Sequence, residues 1–99
     1  MDKDNLSLEK IKQLVIPALK RHDVAHAAIF GSFVHGAQKE DSDVDILIEY
    51  NNDHKTLLDL VGLELELGDI LGRPADVLTY DSLHPLIKEN ALKEQVVLF

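Results

Sequence analysis

The chain has 99 residues, 45% of them hydrophobic, with 18 acidic against 10 basic side chains and a formal net charge of -8 at pH 7. That length suits one small domain over residues 1–99, and the acidic balance argues against direct binding to nucleic acid, because few phosphate counterions would be released. With no cysteine, disulfide scaffolds, thiolate zinc sites and cysteine nucleophiles are excluded together, and without an apolar leader or a span of ~20 apolar residues the expectation is a cytoplasmic protein with no membrane partner.

Leu8, Ile11, Leu14, Val15, Ala18 and Leu19 recur at three- and four-residue intervals behind Ser7, a candidate N-cap, and predict an amphipathic helix over 8–22. Pro17 falls inside it, where the missing N–H predicts a kink. Residues 24–30 form a short apolar run that ends on Gly31-Ser32, the pattern of a buried strand entering a tight turn, with a short helix able to start at Ser32.

After a polar loop over 38–42, the β-branched and aromatic content of 43–50 predicts a strand with Asp43, Asp45, Leu47 and Glu49 on one face. Residues 51–53 have turn chemistry, and Leu57, Leu60, Val61 and Leu65 predict a second long helix over 54–71, stopped by Gly72-Arg73-Pro74. The leucine stripe of that helix reads mainly as core, with Leu63 and Leu67 as surplus leucines able to mark a partner-facing edge. A third strand over 75–80 carries Asp76, and Asp81 or Ser82 is placed to cap a last helix running through Leu86, Ile87 and Leu92. Residues 96–99 read as a terminal strand or a packed tail. This order does not alternate as a doubly wound sheet does, so the expected class is α/β (α+β), a small mixed sheet flanked by helices.

Asp43 and Asp45, two residues apart on a strand, leave the same face with Cα atoms roughly 6.5 Å apart. Converging carboxylates repel unless a cation lies between them, and oxygen-only donors favour magnesium, with manganese possible, over zinc. Asp76, arriving from a neighbouring strand, completes a set able to hold two ions about 4 Å apart, as in phosphoryl transfer. Gly31-Ser32 supplies the complementary half: glycine permits close backbone approach, and the hydroxyl and helix-start amides donate to phosphate oxygens. Ten residues separate Ser32 from Asp43, enough chain to return both segments to one sheet edge.

The motif Gly31-Ser32, ten residues, Asp43-Val44-Asp45 resembles that of the minimal nucleotidyltransferase (MNT) family in the DNA polymerase beta superfamily. The likeness continues through ILIEY, GRPADVLTYDSLHP and LIKENALKEQVVLF, so it covers nearly the whole chain. The resemblance implies the polymerase beta-like nucleotidyltransferase fold and transfer of AMP from ATP to a hydroxyl with release of pyrophosphate. On it, Asp43 and Asp45 hold both ions, Asp76 completes the acceptor-side metal and takes the acceptor's proton, and Gly31 and Ser32 hold the terminal phosphates. Phe33 and His35 stand where relatives often carry basic residues, which makes His35 and Lys39 the candidate phosphate-binding cations. Larger relatives carry an extra acceptor-binding domain, whereas members this short resemble antitoxins whose partner is a helical HEPN ribonuclease toxin, adenylylated on tyrosine.

Two other functional classes fit the same residues. One is a binding module that neutralises its partner by association alone, and the other is an enzyme acting on a small-molecule hydroxyl. A calcium loop beginning at Asp41 is excluded, because Ile46 and Asn52 occupy its glycine and glutamate positions. His22 and His26 straddle a predicted helix end and read as ordinary surface residues rather than as zinc ligands.

Overall fold

The computed structural model describes residues 8–30, 44–52 and 54–99. Helix α1 (Leu8–Arg21) is followed by strands β1 (Val24–Phe30) and β2 (Val44–Tyr50), helix α2 (Leu57–Leu71), strand β3 (Ala75–Thr79), a 3-10 turn (Tyr80–Ser82), helix α3 (Pro85–Glu94) and strand β4 (Val96–Val97). The strands form one sheet in the order β3-β2-β1-β4. β1 runs antiparallel to β2 and β4, while β2 and β3 are parallel. This is the expected small mixed sheet with helices, and the last residues do pair as a strand, Ala28 with Val97 and Ile29 with Val96. Among the described residues no helix is long and apolar enough to cross a membrane.

The core lies between one face of the sheet and the α1–α2 layer. Ile11, Val15 and Leu19 of α1 meet Ala27 and Ile29 of β1, Val44, Ile46 and Ile48 of β2, Val77 of β3 and Leu63 and Leu67 of α2. Pro17 is tolerated within α1 because it sits on the exposed side, where water can satisfy the freed carbonyl. Asp23 then takes the left-handed conformation (φ 68°) between α1 and β1 and accepts from Asn52 Nδ2 at 2.8 Å. Glu66 of α2 fastens the end of α1, accepting from Arg21 Nη2 at 2.6 Å and sharing a 2.8 Å hydrogen bond with His22 Nε2. His22 and His26, the latter 3.8 Å from Glu49, thus keep the surface roles expected of them.

Three expectations need correction. Helix α2 starts at Leu57, not at 54, because Thr56 and Asp59 form a reciprocal capping box. Its buried face is Leu63, Leu67 and Leu71, so the two leucines suggested as partner-facing are core, while Leu57, Val61 and Leu65 point to solvent. The last helix is capped by neither Asp81 nor Ser82: Ser82 Oγ donates to the Thr79 carbonyl in the 3-10 turn, and His84 Nδ1 accepts from the Leu86 N–H ahead of Pro85 at the first helical turn. In that helix Ala91 is buried, whereas Leu86, Ile87 and Leu92 are exposed.

Candidate active site

Strand β2 alternates strictly at its start. Val44, Ile46 and Ile48 have no exposed surface and join the helix-side core, which turns Asp45, Leu47 and Glu49 to the other face, as the period-two pattern requires. On β1, Phe30 is the register partner of Asp45 and is half-buried; on β3, the partner is Asp76. Paired residues of adjacent strands point to the same side and lie about 4.8 Å apart along the hydrogen-bonding direction. The half-buried Asp45 and the exposed Asp76 therefore leave neighbouring strands side by side, on the sheet face opposite the α1–α2 layer.

Several bonds fix that register. The Val44 N–H donates to the Pro74 carbonyl at 3.0 Å, joining the start of β2 to the turn that opens β3. Gly72 makes that turn possible by closing α2 in the left-handed region (φ 71°), with its N–H bonded to the Gly68 carbonyl at 2.8 Å. On the outer edge of β3, the Val77 N–H donates to Glu64 Oε2 of α2 at 2.9 Å. Glu64 thus covers an edge-strand donor next to Asp76. Sequence reasoning missed this role, since a glutamate on a leucine-rich helix gives no local sign of a strand thirteen residues on.

Of the residues expected to form the site, the structure brings Asp45 and Asp76 together. Gly31, Ser32, His35, Lys39 and Asp43 lie outside the described residues. The described flanks end at one edge of the sheet: Phe30, which precedes Gly31, is the register partner of Asp45, and Val44 follows Asp43. Two neighbouring carboxylates, one half-buried and one exposed, are a hard-oxygen donor set suited to magnesium or manganese. Among the described residues no group of three potential metal ligands converges, so a complete cage needs a donor from outside them.

Further along the same face, Glu49 borders a cleft of about 360 Å³ that His26, Tyr80, Lys88, Gln95 and Val97 also line. It lies roughly 13 Å from Asp45 at the strand rise per residue. Tyr80 Oη donates to Gln95 Oε1 at 2.8 Å, and burial, helped by Glu49, pushes the phenol's pKa up. The phenol therefore stays neutral and serves as a fixed donor on the cleft wall.

Comparison with known proteins finds likeness over nearly the whole chain. The family described as nucleotidyltransferase domain matches residues 9–98. A Methanocaldococcus jannaschii protein provisionally named a protein adenylyltransferase is 50% identical over 91 residues, covering 92% of this chain and 97% of that protein. Protein adenylyltransferase MntA of Thermococcus cleftensis is 37% identical over 95 residues, covering 92% and 95%. Among solved structures, one provisionally described as a minimal nucleotidyltransferase superposes with a TM-score of 0.80 at 32% identity, over 93% of this chain and 96% of that one. A chain in the complex of a tri-AMPylated Shewanella oneidensis HEPN toxin with MNT antitoxin superposes with a TM-score of 0.73 at 16% identity, over 92% and 71%, a likeness of fold.

Proposed function

The chain belongs to the nucleotidyltransferase domain family, and on that footing we propose that it transfers AMP from ATP to a tyrosine hydroxyl of a helical HEPN-type ribonuclease partner, acting as that partner's antitoxin. The observation that carries the reading is the pairing of Asp45 with Asp76 on the sheet face opposite the α1–α2 layer, at the end where β1 leads into Gly31-Ser32. Support for the substrate class comes from the protein adenylyltransferase names of relatives that align end to end with this chain. Support for the partner comes from the toxin–antitoxin complex that shares its fold.

On this reading Asp45 and Asp76, joined by Asp43, would hold divalent magnesium. When bound, the metal supplies positive charge to the phosphates and favours the ionised acceptor. Gly31 and Ser32 hold the terminal phosphates, with His35 and Lys39 as the candidate cations that follow them in sequence. The acceptor oxygen bonds to the α-phosphorus, the bond from that phosphorus to pyrophosphate breaks, and the phenolic proton passes to Asp76. A free tyrosine hydroxyl has a pKa near ~10, so a carboxylate beside it has a task at neutral pH. Most of the catalysis is positioning and charge stabilisation rather than covalent participation of the protein.

The test is intact-mass measurement of a co-expressed helical partner after treatment with this protein, ATP and magnesium, against an Asp43→Ala/Asp45→Ala control. One or more adenylate additions, absent with the control, are expected. A partner bound and inhibited without any mass gain would replace this reading with neutralisation by association, and adenylation of small hydroxyl compounds without a protein partner would replace it with a small-molecule transferase.

A further inference from the structure

Helix α2 has a second apolar face that its own fold does not cover. Opposite the buried Leu63, Leu67 and Leu71, the residues Leu58, Val61 and Leu65 follow one another at helical spacing with Leu57 at their margin, and they are 82%, 40%, 67% and 74% exposed in that order. Solvent-facing helix positions are ordinarily polar, and apolar residues contiguous over two turns mark a contact surface. Gly62 sits among them. A Cβ there would meet nothing within 4 Å, so intramolecular packing gives no reason for a residue that weakens a helix interior. A glycine on an open helix face does allow a second backbone to come close.

We infer that this face binds a second copy of the chain, α2 against α2 and antiparallel, with the two-fold axis beside Val61 and Gly62. The pattern is self-complementary about that point, as an isologous contact requires. Leu58 of one copy meets Leu65 of the other, and Val61 of each lies over Gly62 of the other. Roughly 10 Å to one side of Gly62 along the helix lies Asp69, and about 7 Å to the other side lies the helix start at Leu57, with His54 and Lys55 just before it in sequence. Antiparallel pairing thus brings each Asp69 to the basic, dipole-positive start of the opposite helix. Parallel pairing would set Asp69 beside Asp69 in a helix whose charged residues, Asp59, Glu64, Glu66 and Asp69, are all acidic. The face also lies behind the sheet relative to Asp45 and Asp76. A dimer formed through it keeps both carboxylate pairs open, whereas a partner presenting an acceptor hydroxyl must approach from the other side.

Sedimentation equilibrium of the full chain from micromolar to hundreds of micromolar tests this directly. Expected is a concentration-dependent monomer–dimer equilibrium that Leu58→Glu/Leu65→Glu weakens at least tenfold, with circular dichroism unchanged because both side chains are exposed. Gly62→Ala separates association from folding: it raises thermal stability yet weakens the dimer. Because the chain has no cysteine, single introduced thiols read the geometry, and a mixture of Leu58→Cys with Leu65→Cys copies is expected to cross-link on oxidation far better than either alone. A monomer at every concentration, association indifferent to the double variant, Leu58→Cys cross-linking as well alone as in the mixture, or protection of this face only on adding a helical partner protein would each overturn the inference.

Discussion

Asp45 and Asp76 are register partners across the parallel β2–β3 pair, so their side chains leave adjacent strands on the sheet face opposite the α1–α2 layer. Two carboxylates so placed offer a hard-oxygen donor pair to a divalent cation. Magnesium is accordingly expected to raise the melting temperature of the wild-type chain, by mass action on the folded state, and to leave Asp45→Asn/Asp76→Asn unmoved. Each single change is expected to lower adenylate transfer about 100-fold or more, the scale seen when a group stabilising transition-state charge is removed. Calorimetry with and without magnesium, beside the mass assay, checks both halves.

Glu64 is expected to act on Asp76 from a distance. Glu64→Ala removes the acceptor of the Val77 N–H on the outer edge of β3 and should cost about 1 kcal/mol, the usual net worth of a hydrogen bond. Glu64→Gln keeps a carbonyl oxygen at the same reach and should restore most of it. Urea denaturation gives the stabilities, and amide exchange at Val77 should quicken in the alanine variant alone.

Helix α2 separates core leucines from exposed ones. Leu63→Ala or Leu67→Ala, each at a fully buried position, should cost about 2–5 kcal/mol, enough to threaten a domain of this size. Leu58→Ala should change the stability of the isolated fold by no more than about 0.5 kcal/mol. Comparable losses at Leu58 and Leu67 in dilute protein would contradict the burial pattern.

Tyr50 offers a test in the opposite direction. Its hydroxyl is buried and has no hydrogen-bond partner among the described residues, and burial, with a smaller contribution from Asp59, raises its pKa. Removing an unpaired buried polar atom is neutral or favourable, so Tyr50→Phe should leave stability unchanged or raise it by about 1 kcal/mol. A loss of more than that in chemical denaturation would mean that the hydroxyl has a partner in solution.

The acid limb of stability should pass through α2. Asp59 is held below the usual carboxylate range first by its hydrogen bond to the Thr56 backbone and then by the Thr56 hydroxyl; Glu66 is held low first by the hydrogen bond with His22 and then by Arg21. A carboxyl whose folded pKa is depressed stabilises the protein above its unfolded value, about 4, and that contribution fades as pH falls through the lower folded value. Asp59→Asn/Glu66→Gln should melt earlier at pH 7 and show a shallower loss of melting temperature below about pH 4. Curves falling in parallel would remove these two groups from the acid response.

Strand parity was fully legible in the residues: the alternation in VDILIEY placed Asp45 away from the core, and the run GRPADV carried Asp76 into a strand beside it. Helix α2 was not, because it carries leucines on two faces; Leu57, Val61 and Leu65 match helical spacing as well as Leu63, Leu67 and Leu71 do, and only the sheet and α1 decide which set is buried. The caps show the same limit. Thr56 with Asp59 is a capping box visible in sequence, whereas Asp81 and Ser82 are good capping residues that lie instead in a 3-10 turn ahead of the helix that begins at Pro85. Nothing local announces that Glu64 serves a strand.

The bond from Val44 to Pro74 has a consequence for how this chain can vary in length. Along β3 the assignments alternate residue by residue, Asp76 outward and Val77 into the core, and their phase is set where Gly72, Arg73 and Pro74 hand the chain from helix to strand. Deleting a single residue there would exchange the two, burying a charge and exposing a valine in one step. Deleting two would preserve the phase. Drift in that turn is therefore confined to even steps, so an alignment of related chains should show gaps of zero or two residues between the left-handed glycine and the outward aspartate, and gaps of one only where the aspartate itself has been lost.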